Sequence, residues 1–311
     1  MSTSSLPEKA ADPGKGLPQP PERLPAGASW SSQLFSLGRY LMQSEVHTYA
    51  FSVAANAILS FFPLIVMMYT LARRLFHWPA MEASIGEMMR FFLPTVSERD
   101  GSFVVRNLAL IVSSKHGVPI VSLVMLFISC TGVFLPLEVA LNQVWGVVKS
   151  RSYLRNQFVS LGLAFGMMVL AMSAVMLNAG QISVLTFLFF GHTNNFVFHF
   201  LVGSLIEISL AVGSIAMFFL IYWLLPNRRI PPRAAIPAAV AVGLLWQGAK
   251  VLYIALLPRL DLEASYGPFY ISVGLIIWGY VTGLLMLAGA HYSATRHTLY
   301  LARKAELEQK D

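Results

Sequence analysis

Six long apolar stretches constrain the fold of this chain more than any other feature of its sequence. A helix that crosses the hydrocarbon core of a bilayer needs about 20 predominantly apolar residues, and each stretch reaches that length. The stretches are Thr48–Leu71, Pro119–Val147, Gln157–Leu177, Phe198–Leu225, Ala234–Leu257 and Phe269–Ala290. Backbone polar groups in lipid must be satisfied inside the segment that carries them. The sequence therefore predicts an all-α fold, a polytopic membrane bundle with six transmembrane helices plus interfacial amphipathic helices.

The composition excludes several other classes of protein. Charged residues make up 12% of the chain, which is about half the share usual in soluble domains. The net charge of +7 is spread over loops and tails, so nucleic acid is not expected as a partner. The single cysteine, Cys130, lies inside the second stretch and provides neither a disulfide framework nor, alone, a thiolate metal site.

The short loops predict the orientation of the bundle. The loop after the second stretch and the loop after the fourth contain basic residues and no acid, whereas the loop Gly191–Asn195 carries no Lys, Arg, Asp or Glu. Because basic loops are retained on the cytoplasmic side, both termini are predicted to be cytoplasmic. Arg73 and Arg74, at the end of the first stretch, oppose this orientation.

The same basic loops predict a contact with anionic lipid headgroups at the cytoplasmic face, since cations near a charged leaflet are attracted to it. The residues are Lys149, Arg151, Arg155, Arg228, Arg229 and Arg233. The alternative is that these residues are topology signals without a specific lipid site.

Two further segments have apolar residues at helical spacing. Trp30, Leu34, Leu37 and Leu41 precede the first stretch, and a second set lies within residues 81–92. Both patterns are typical of amphipathic helices that lie in the membrane interface. The alternative is that their apolar faces pack on the spans as protein core.

The chain divides into three parts by composition. Residues 1–29 are polar and proline-rich and are predicted to form a disordered cytoplasmic tail, with no cleavable signal peptide. Residues 30–300 form the transmembrane domain, and residues 301–311 form a second cytoplasmic tail.

Ionisable residues inside the stretches are the candidates for function, because each must face a partner or a water-filled cavity. Glu207 and Lys250 come out at similar depth in neighbouring antiparallel spans, which predicts an ion pair. This pair is either structural or part of a polar pathway. Glu138 lies near the cytoplasmic end of its span, with Asn142 on the next turn, and is typical of an interfacial anchor. His291 ends the last stretch and is interpreted as an interfacial histidine.

Two pairs of glycines have the spacing that allows helices to approach closely in membranes. Gly162 and Gly166 lie in the third stretch, and Gly279 and Gly283 lie in the sixth. The pattern predicts tight packing and gives no information on a substrate.

Four segments carry a resemblance to a known family. They are AILSFFPL at Ala57–Leu64, LEVALNQVWGV at Leu137–Val147, the basic loop with a Trp-x-x-x-Lys span at Pro226–Leu257, and the closing pattern at Tyr266–Ala294. In this order on six predicted spans, they resemble the YihY/virulence factor BrkB family over roughly residues 30–300.

The resemblance implies a bacterial inner-membrane protein of six helices, without an established activity. His291 departs from the family pattern, which usually has Glu after Gly289 and Ala290. Some members carry the name ribonuclease BN, but a metal nuclease needs a cluster of His, Asp or Glu, and the seven histidines here are scattered. Accordingly, we expect no catalytic residue, no metal and no cofactor, and an enzyme is the least favoured class.

Three functions remain. The first is a transporter or flippase-like protein for a solute, an ion or a lipid, which predicts a polar cavity at membrane depth. The second is an envelope scaffold or resistance protein that transports nothing, which predicts a filled bundle. The third, an enzyme acting on lipid headgroups, needs a carboxylate or histidine cluster at one face. A homo-oligomer is compatible with each of them.

Overall fold

The fold consists of helices throughout the residues that the structure, a computed structural model, describes: 29–71, 134–147, 151–190 and 195–309. These helices are α1 (Trp30–Leu41), α2 (Ser44–Leu71), α3 (134–144), α4 (Tyr153–Leu188), α5 (Phe196–Leu224), α6 (Pro232–Leu260), α7 (Leu262–Tyr266) and α8 (Tyr270–Glu308), with a 3-10 turn at Gly267–Phe269. Residues 1–28, the predicted amphipathic segment 81–92, the first part of the second stretch and Lys149 lie outside the described residues.

The described parts of the predicted spans are helical, and some helices begin or end at other residues than the apolar stretches do. Among the described residues, α5, α6 and α8 are long and apolar enough to cross a membrane. The chain is thus an α-helical membrane protein, and the count of six spans stays a prediction. α2 and α6 begin and end within a few residues of the first and fifth stretches.

Two helices continue well beyond the apolar stretches that predicted them. α4 runs past Leu177 to Leu188, and α8 runs past Ala290 to Glu308. The extension of α4 contains Gly180, Gln181 and Ser183. These residues interrupt the apolar stretch, but the helix continues through them. The first part of the predicted C-terminal tail is therefore helical, and an exposed ion pair of 3.6 Å joins Lys304 to Glu308 on it.

α1 is a helix, as its apolar spacing predicted. Its N-terminus is capped by Ser29, whose hydroxyl accepts a hydrogen bond from the Ser32 amide at 3.4 Å; such caps satisfy the free amides of a first turn. The face that packs on the bundle holds Ser36 and Tyr40, while Trp30 and Leu34 are exposed. Part of the predicted apolar face of α1, at Trp30 and Leu34, is therefore exposed and does not pack on the bundle.

α8 is the helix around which the others are arranged. It packs against α2, α6 and α1, and the series continues from α6 to α5 and from α5 to α4. Two tyrosines of neighbouring helices form hydrogen bonds with its backbone. The Tyr222 hydroxyl donates to the Met286 carbonyl at 2.9 Å, and the Tyr253 hydroxyl donates to the Gly274 carbonyl at 2.6 Å. Buried tyrosines need such partners, and these two also fix the positions of α5 and α6 along α8.

The contact between α8 and α2 depends on small residues. A Cβ at Gly279 would lie 3.1 Å from the Cα of Ala54, and a Cβ at Gly283 would lie 3.0 Å from the Ala50 carbonyl oxygen. This pair of glycines therefore brings two backbones together, as its spacing predicted. Gly162 and Gly166 have open space around them, so the same spacing in α4 makes no close helix contact in the described structure.

Aromatic rings fill the region where α5, α6 and α8 meet. The ring of Trp246 lies 5.5 Å from that of Trp278 and 6.3 Å from that of Phe218. The Trp246 indole donates to the Thr282 hydroxyl at 3.1 Å. Since large rings and a satisfied N–H occupy this region, it is a filled core.

We expect Gly283→Val to destabilise the protein by about 1–3 kcal/mol, the usual cost of forcing extra atoms into a packed contact. The new side chain would meet the backbone of Ala50, which does not move aside as a flexible side chain does. Thermal unfolding in detergent measures the effect. Gly166→Val is the matched control, because it adds the same branched residue to a helix at a place with open space. Equal losses in the two variants would contradict the close contact.

Candidate functional site

Buried polar side chains gather at one end of the bundle, where α3 ends, α4 begins and α5 leads to α6. We call this the basic end, because the two predicted basic loops lie there. Glu138, Asn142, Asn156, Gln157 and Ser160 are all buried in it. Glu138 is 3% exposed, so its carboxyl group is buried in protein, and its role as an interfacial anchor stays a prediction.

Asn142 connects the members of this cluster. Its amide nitrogen Nδ2 donates to Oε1 of Glu138 at 3.4 Å, and its Oδ1 accepts from the backbone amide of Asn227 at 2.7 Å. The Asn156 side chain is a second hydrogen-bond partner of Glu138. The cluster thereby joins α3 to α4 and to the segment between α5 and α6.

Arg151 binds the end of α5. Its Nη1 donates to the carbonyl of Leu225 at 3.1 Å, and its Nη2 donates to those of Leu224 at 3.4 Å and Pro226 at 2.8 Å. Its Nε donates to Oδ1 of Asn227 at 3.1 Å. Burial lowers the pKa of this guanidinium, and the negative charge of Glu138 opposes that shift. A cation at a helix C-terminus satisfies free carbonyls and stabilises the negative end of the helix dipole.

The Trp-Gly-Val part of the second segment ends α3. Gly146 has φ +65°, a conformation that glycine adopts without steric cost. Its amide donates to the Gln143 carbonyl at 2.9 Å, and the Val147 amide donates to the Asn142 carbonyl at 2.8 Å. These two bonds form a Schellman motif, and the buried Trp145 packs beside His297 with ring centres 5.7 Å apart.

A groove of about 690 Å³ opens between α4 and α5, away from the basic end. Its lining is mainly apolar, with two polar side chains, and consists of Ser173, Met176, Leu177, Gly180, Gln181, Val184, Leu185 and Leu205. Gln181 Nε2 donates to the Ser209 hydroxyl at 3.0 Å, which connects the two helices. The groove is therefore a mainly apolar surface, and one amide–hydroxyl pair beside it joins α4 to α5.

Glu207 and Lys250 lie on adjacent helices, α5 and α6, near enough for their charges to interact. Each is about 15 Å from the end of its helix that is remote from the basic end, at a rise of about 1.5 Å per residue. Glu207 is exposed, and Lys250 is half-buried with Nζ 5.9 Å from the ring centre of Trp246. That distance is within the range of a cation–π contact. Their role as a pair stays a prediction.

The other predicted residues fall into two groups. His291 is 2% exposed and stacks on Tyr40 of α1 with ring centres 4.5 Å apart, so it lies in a protein contact between α1 and α8. Arg155, Arg228, Arg229 and Arg233 are exposed. Their contact with lipid headgroups stays a prediction. Arg228 also donates to the Trp145 carbonyl at 3.4 Å, and four bonds of Arg151 are directed to the end of α5.

Sequence analysis missed Asn156, Gln181 and Ser209 as parts of these sites. Polar uncharged residues inside a helix cost less in lipid than charged ones, so they give a weak signal. The spacing of Asn156 and Ser160, one helical turn apart at the start of α4, was the available sign of a shared buried face. In the described residues no group of three or more His, Cys, Asp or Glu is placed to hold a metal ion.

The sequence matches a known protein family over most of its length. The family model described as virulence factor BrkB matches residues 38–311. The chain belongs to the virulence factor BrkB family. The match includes α2, the Glu138 cluster, the groove helices and α8, and it confirms the resemblance drawn from the four sequence segments.

Three relatives of this BrkB-family chain are named UPF0761 membrane proteins. That of Chlorobium phaeobacteroides is 22% identical over 261 residues, covering 81% of this chain and 54% of the relative. That of Pseudomonas aeruginosa is 26% identical over 247 residues, covering 77% and 57%. That of Pseudoalteromonas atlantica is 23% identical over 246 residues, covering 76% and 77%. The chain spans about half the length of the first of these. No solved structure matches.

We expect Arg151→Lys to lower the free energy of unfolding by about 1–3 kcal/mol, because a lysine keeps the charge but not the planar fork that serves several carbonyls at once. Hydrogen exchange at the last turn of α5 should increase in the same variant. Arg155→Lys is the matched control, since Arg155 is exposed in the same segment. Unchanged exchange in Arg151→Lys would show that Arg151 does not hold the end of α5.

Proposed function

We propose that this protein is a transporter or flippase-like protein that moves an amphipathic, lipid-like molecule across the bacterial inner membrane. The observation that carries the proposal is the groove between α4 and α5. Its volume of about 690 Å³ lies within the range of about 300–1,000 Å³ typical of small-molecule sites.

The lining of the groove favours an amphipathic substrate over a free ion. An ion that leaves water needs polar ligands around it, and most of the groove is formed by apolar residues such as Met176, Leu177 and Val184. An acyl chain matches this surface. Gln181 and Ser209 supply hydrogen-bonding groups to a polar part of the same molecule.

Glu207 of α5 and Lys250 of α6 lie between these two helices, about half a turn around α5 from the groove residue Leu205 and from Ser209. Ionisable groups at membrane depth are costly in lipid and mark substrate or ion pathways. An exposed carboxylate and a half-buried ammonium at matched depth provide a polar track for a headgroup. Lys250 favours a headgroup with negative charge.

The orientation and lipid contacts form part of the same proposal. Six spans with both termini cytoplasmic place the basic end at the cytoplasmic face, where Arg155, Arg228, Arg229 and Arg233 reach anionic headgroups. Cysteine labelling at Ser152 and Asn195 tests this orientation, since the two positions should react from opposite sides.

A scaffold that transports nothing is the second candidate. The aromatic core at Trp246 and Trp278 and the buried cluster at Glu138 favour it, because packed side chains fill both regions in the part of the chain that the structure describes. The two candidates differ in the role of the groove. A transporter needs the groove open to bind its substrate, whereas a scaffold does not.

We expect Gly180→Phe to reduce lipid movement strongly, because the ring would fill a groove that Gly180 lines. The measurement is transbilayer movement of fluorescent phospholipids, with anionic or zwitterionic headgroups, in liposomes containing the purified protein. Gly162→Phe is the matched control: it places the same ring on α4, also in open space, away from the groove lining. Wild-type protein that moves neither lipid would overturn the proposed function and favour the scaffold.

The same assay distinguishes the two roles of Glu207 and Lys250. We expect Glu207→Gln and Lys250→Met each to lower activity, since a single charge left at membrane depth costs more than none. A double variant that keeps its thermal stability but stays inactive places the pair on the substrate pathway. A double variant that regains activity assigns the pair a structural role only.

A further inference from the structure

The Trp-x-x-x-Lys segment of α6 places Trp246 and Lys250 four residues apart, on one face of the helix. Long side chains of a helix lean toward its N-terminus, over the residue about four positions earlier. The ammonium of Lys250 accordingly lies over the indole of Trp246, with Nζ 5.9 Å from the ring centre. An aromatic face attracts a cation within this range, so the indole forms one wall of the place that the ammonium occupies.

The plane of this indole is fixed by the neighbouring helices. The Trp246 indole donates to the hydroxyl of Thr282 on α8 at 3.1 Å, and its ring lies 5.5 Å from that of Trp278, also on α8. On the α5 side, the ring of Phe218 meets it edge-on at 6.3 Å. A buried indole N–H needs an acceptor, and Trp246 is 2% exposed. The hydroxyl of Thr282 therefore determines which way the indole faces.

Glu207 of α5 acts on the same ammonium from another side, since its charge is near enough to attract that of Lys250. Glu207 is exposed, whereas Trp246 is buried and in contact with α5 and α8. An exposed side chain keeps much of its rotational freedom, and a buried ring in a packed core does not. Of these two partners, Trp246 is therefore the one that fixes the position of the Lys250 nitrogen.

We propose that Thr282 and Trp246 are positioning residues for Lys250, and that through them α8 sets the preference of the polar track for an anionic headgroup. Thr282 orients the indole, the indole holds the ammonium, and the ammonium meets the negative charge of the headgroup. A binding group selects its ligand well only when packing and hydrogen bonds behind it fix its own position. This inference rests on the proposed function, in which Lys250 is part of the track.

Acylation of lysines by acetic anhydride, followed by mass spectrometry of the peptides, tests the positioning without any transport. Only a neutral amine reacts, and the aromatic face of Trp246 stabilises the charged form. We expect Thr282→Val, which leaves the indole N–H without its acceptor, to raise the rate at Lys250 several-fold. Trp246→Phe removes the N–H instead and should raise that rate by a similar factor. The exposed Lys304 is the internal reference and should react as in the wild type.

Three further variants serve as controls. Thr282→Ser keeps the hydroxyl and should retain the wild-type rate at Lys250. Thr298→Val makes the same substitution on α8 at a hydroxyl that bonds to the Ala294 carbonyl of its own helix, and it should also leave the rate unchanged. Adding Thr282→Val to Trp246→Phe should change the rate no further, because both residues act through one hydrogen bond. A wild-type rate at Lys250 in Thr282→Val, or a full additional effect in the double variant, would overturn the positioning.

Liposomes containing the purified protein test the consequence for the headgroup. We expect the wild type to move an anionic phospholipid faster than a zwitterionic one. Thr282→Val should lower this ratio several-fold while the zwitterionic lipid still moves, and Thr282→Ser should keep the wild-type ratio. Equal movement of the two lipids by the wild type, or an unchanged ratio in Thr282→Val, would overturn the role in headgroup preference. A wild type that moves neither lipid would overturn the proposed function, and the acylation rates would then decide the positioning of Lys250 alone.

Discussion

The close approach of α8 to its neighbours is the contact on which the rest of this bundle depends. Lipid chains are as apolar as the helices, so helices in a bilayer associate through close packing and internal hydrogen bonds. α8 supplies both, with Gly279 and Gly283 against α2 and backbone carbonyls that accept from Tyr222 and Tyr253. Because α6 is fixed on α8 and α5 on α6, the position of the groove follows from this helix.

The two ends of the bundle are built on different physical principles. At the basic end, the Asn142 and Asn156 side chains bond to Glu138, and Arg151 donates to carbonyl groups at the end of α5. At the other end, a mainly apolar groove lies between α4 and α5, which the hydrogen bond from Gln181 to Ser209 joins. The buried polar cluster and the apolar groove therefore lie at different ends of the bundle.

Sequence patterns predicted which segments are helical. They did not predict which helices would contact each other. The helical character of α2, α5 and α6 follows from their apolar residues. The end of α4 at Leu188 was missed because polar residues stop an apolar pattern before they stop a helix. Of two glycine pairs with identical spacing, only Gly279 and Gly283 make a close contact in the described structure. The spacing shows that small residues lie on one face of a helix. Whether another helix packs closely against that face depends on the tertiary structure.

By itself, the sequence determined the class of this protein: an α-helical membrane protein of the virulence factor BrkB family. Only the tertiary structure decided the surroundings of its candidate residues. It buried Glu138 in a polar cluster, directed Arg151 to the carbonyls of α5, and stacked His291 on Tyr40. The physical reason is that hydropathy is a property of single segments, whereas burial and hydrogen bonding depend on residues brought together from distant parts of the chain.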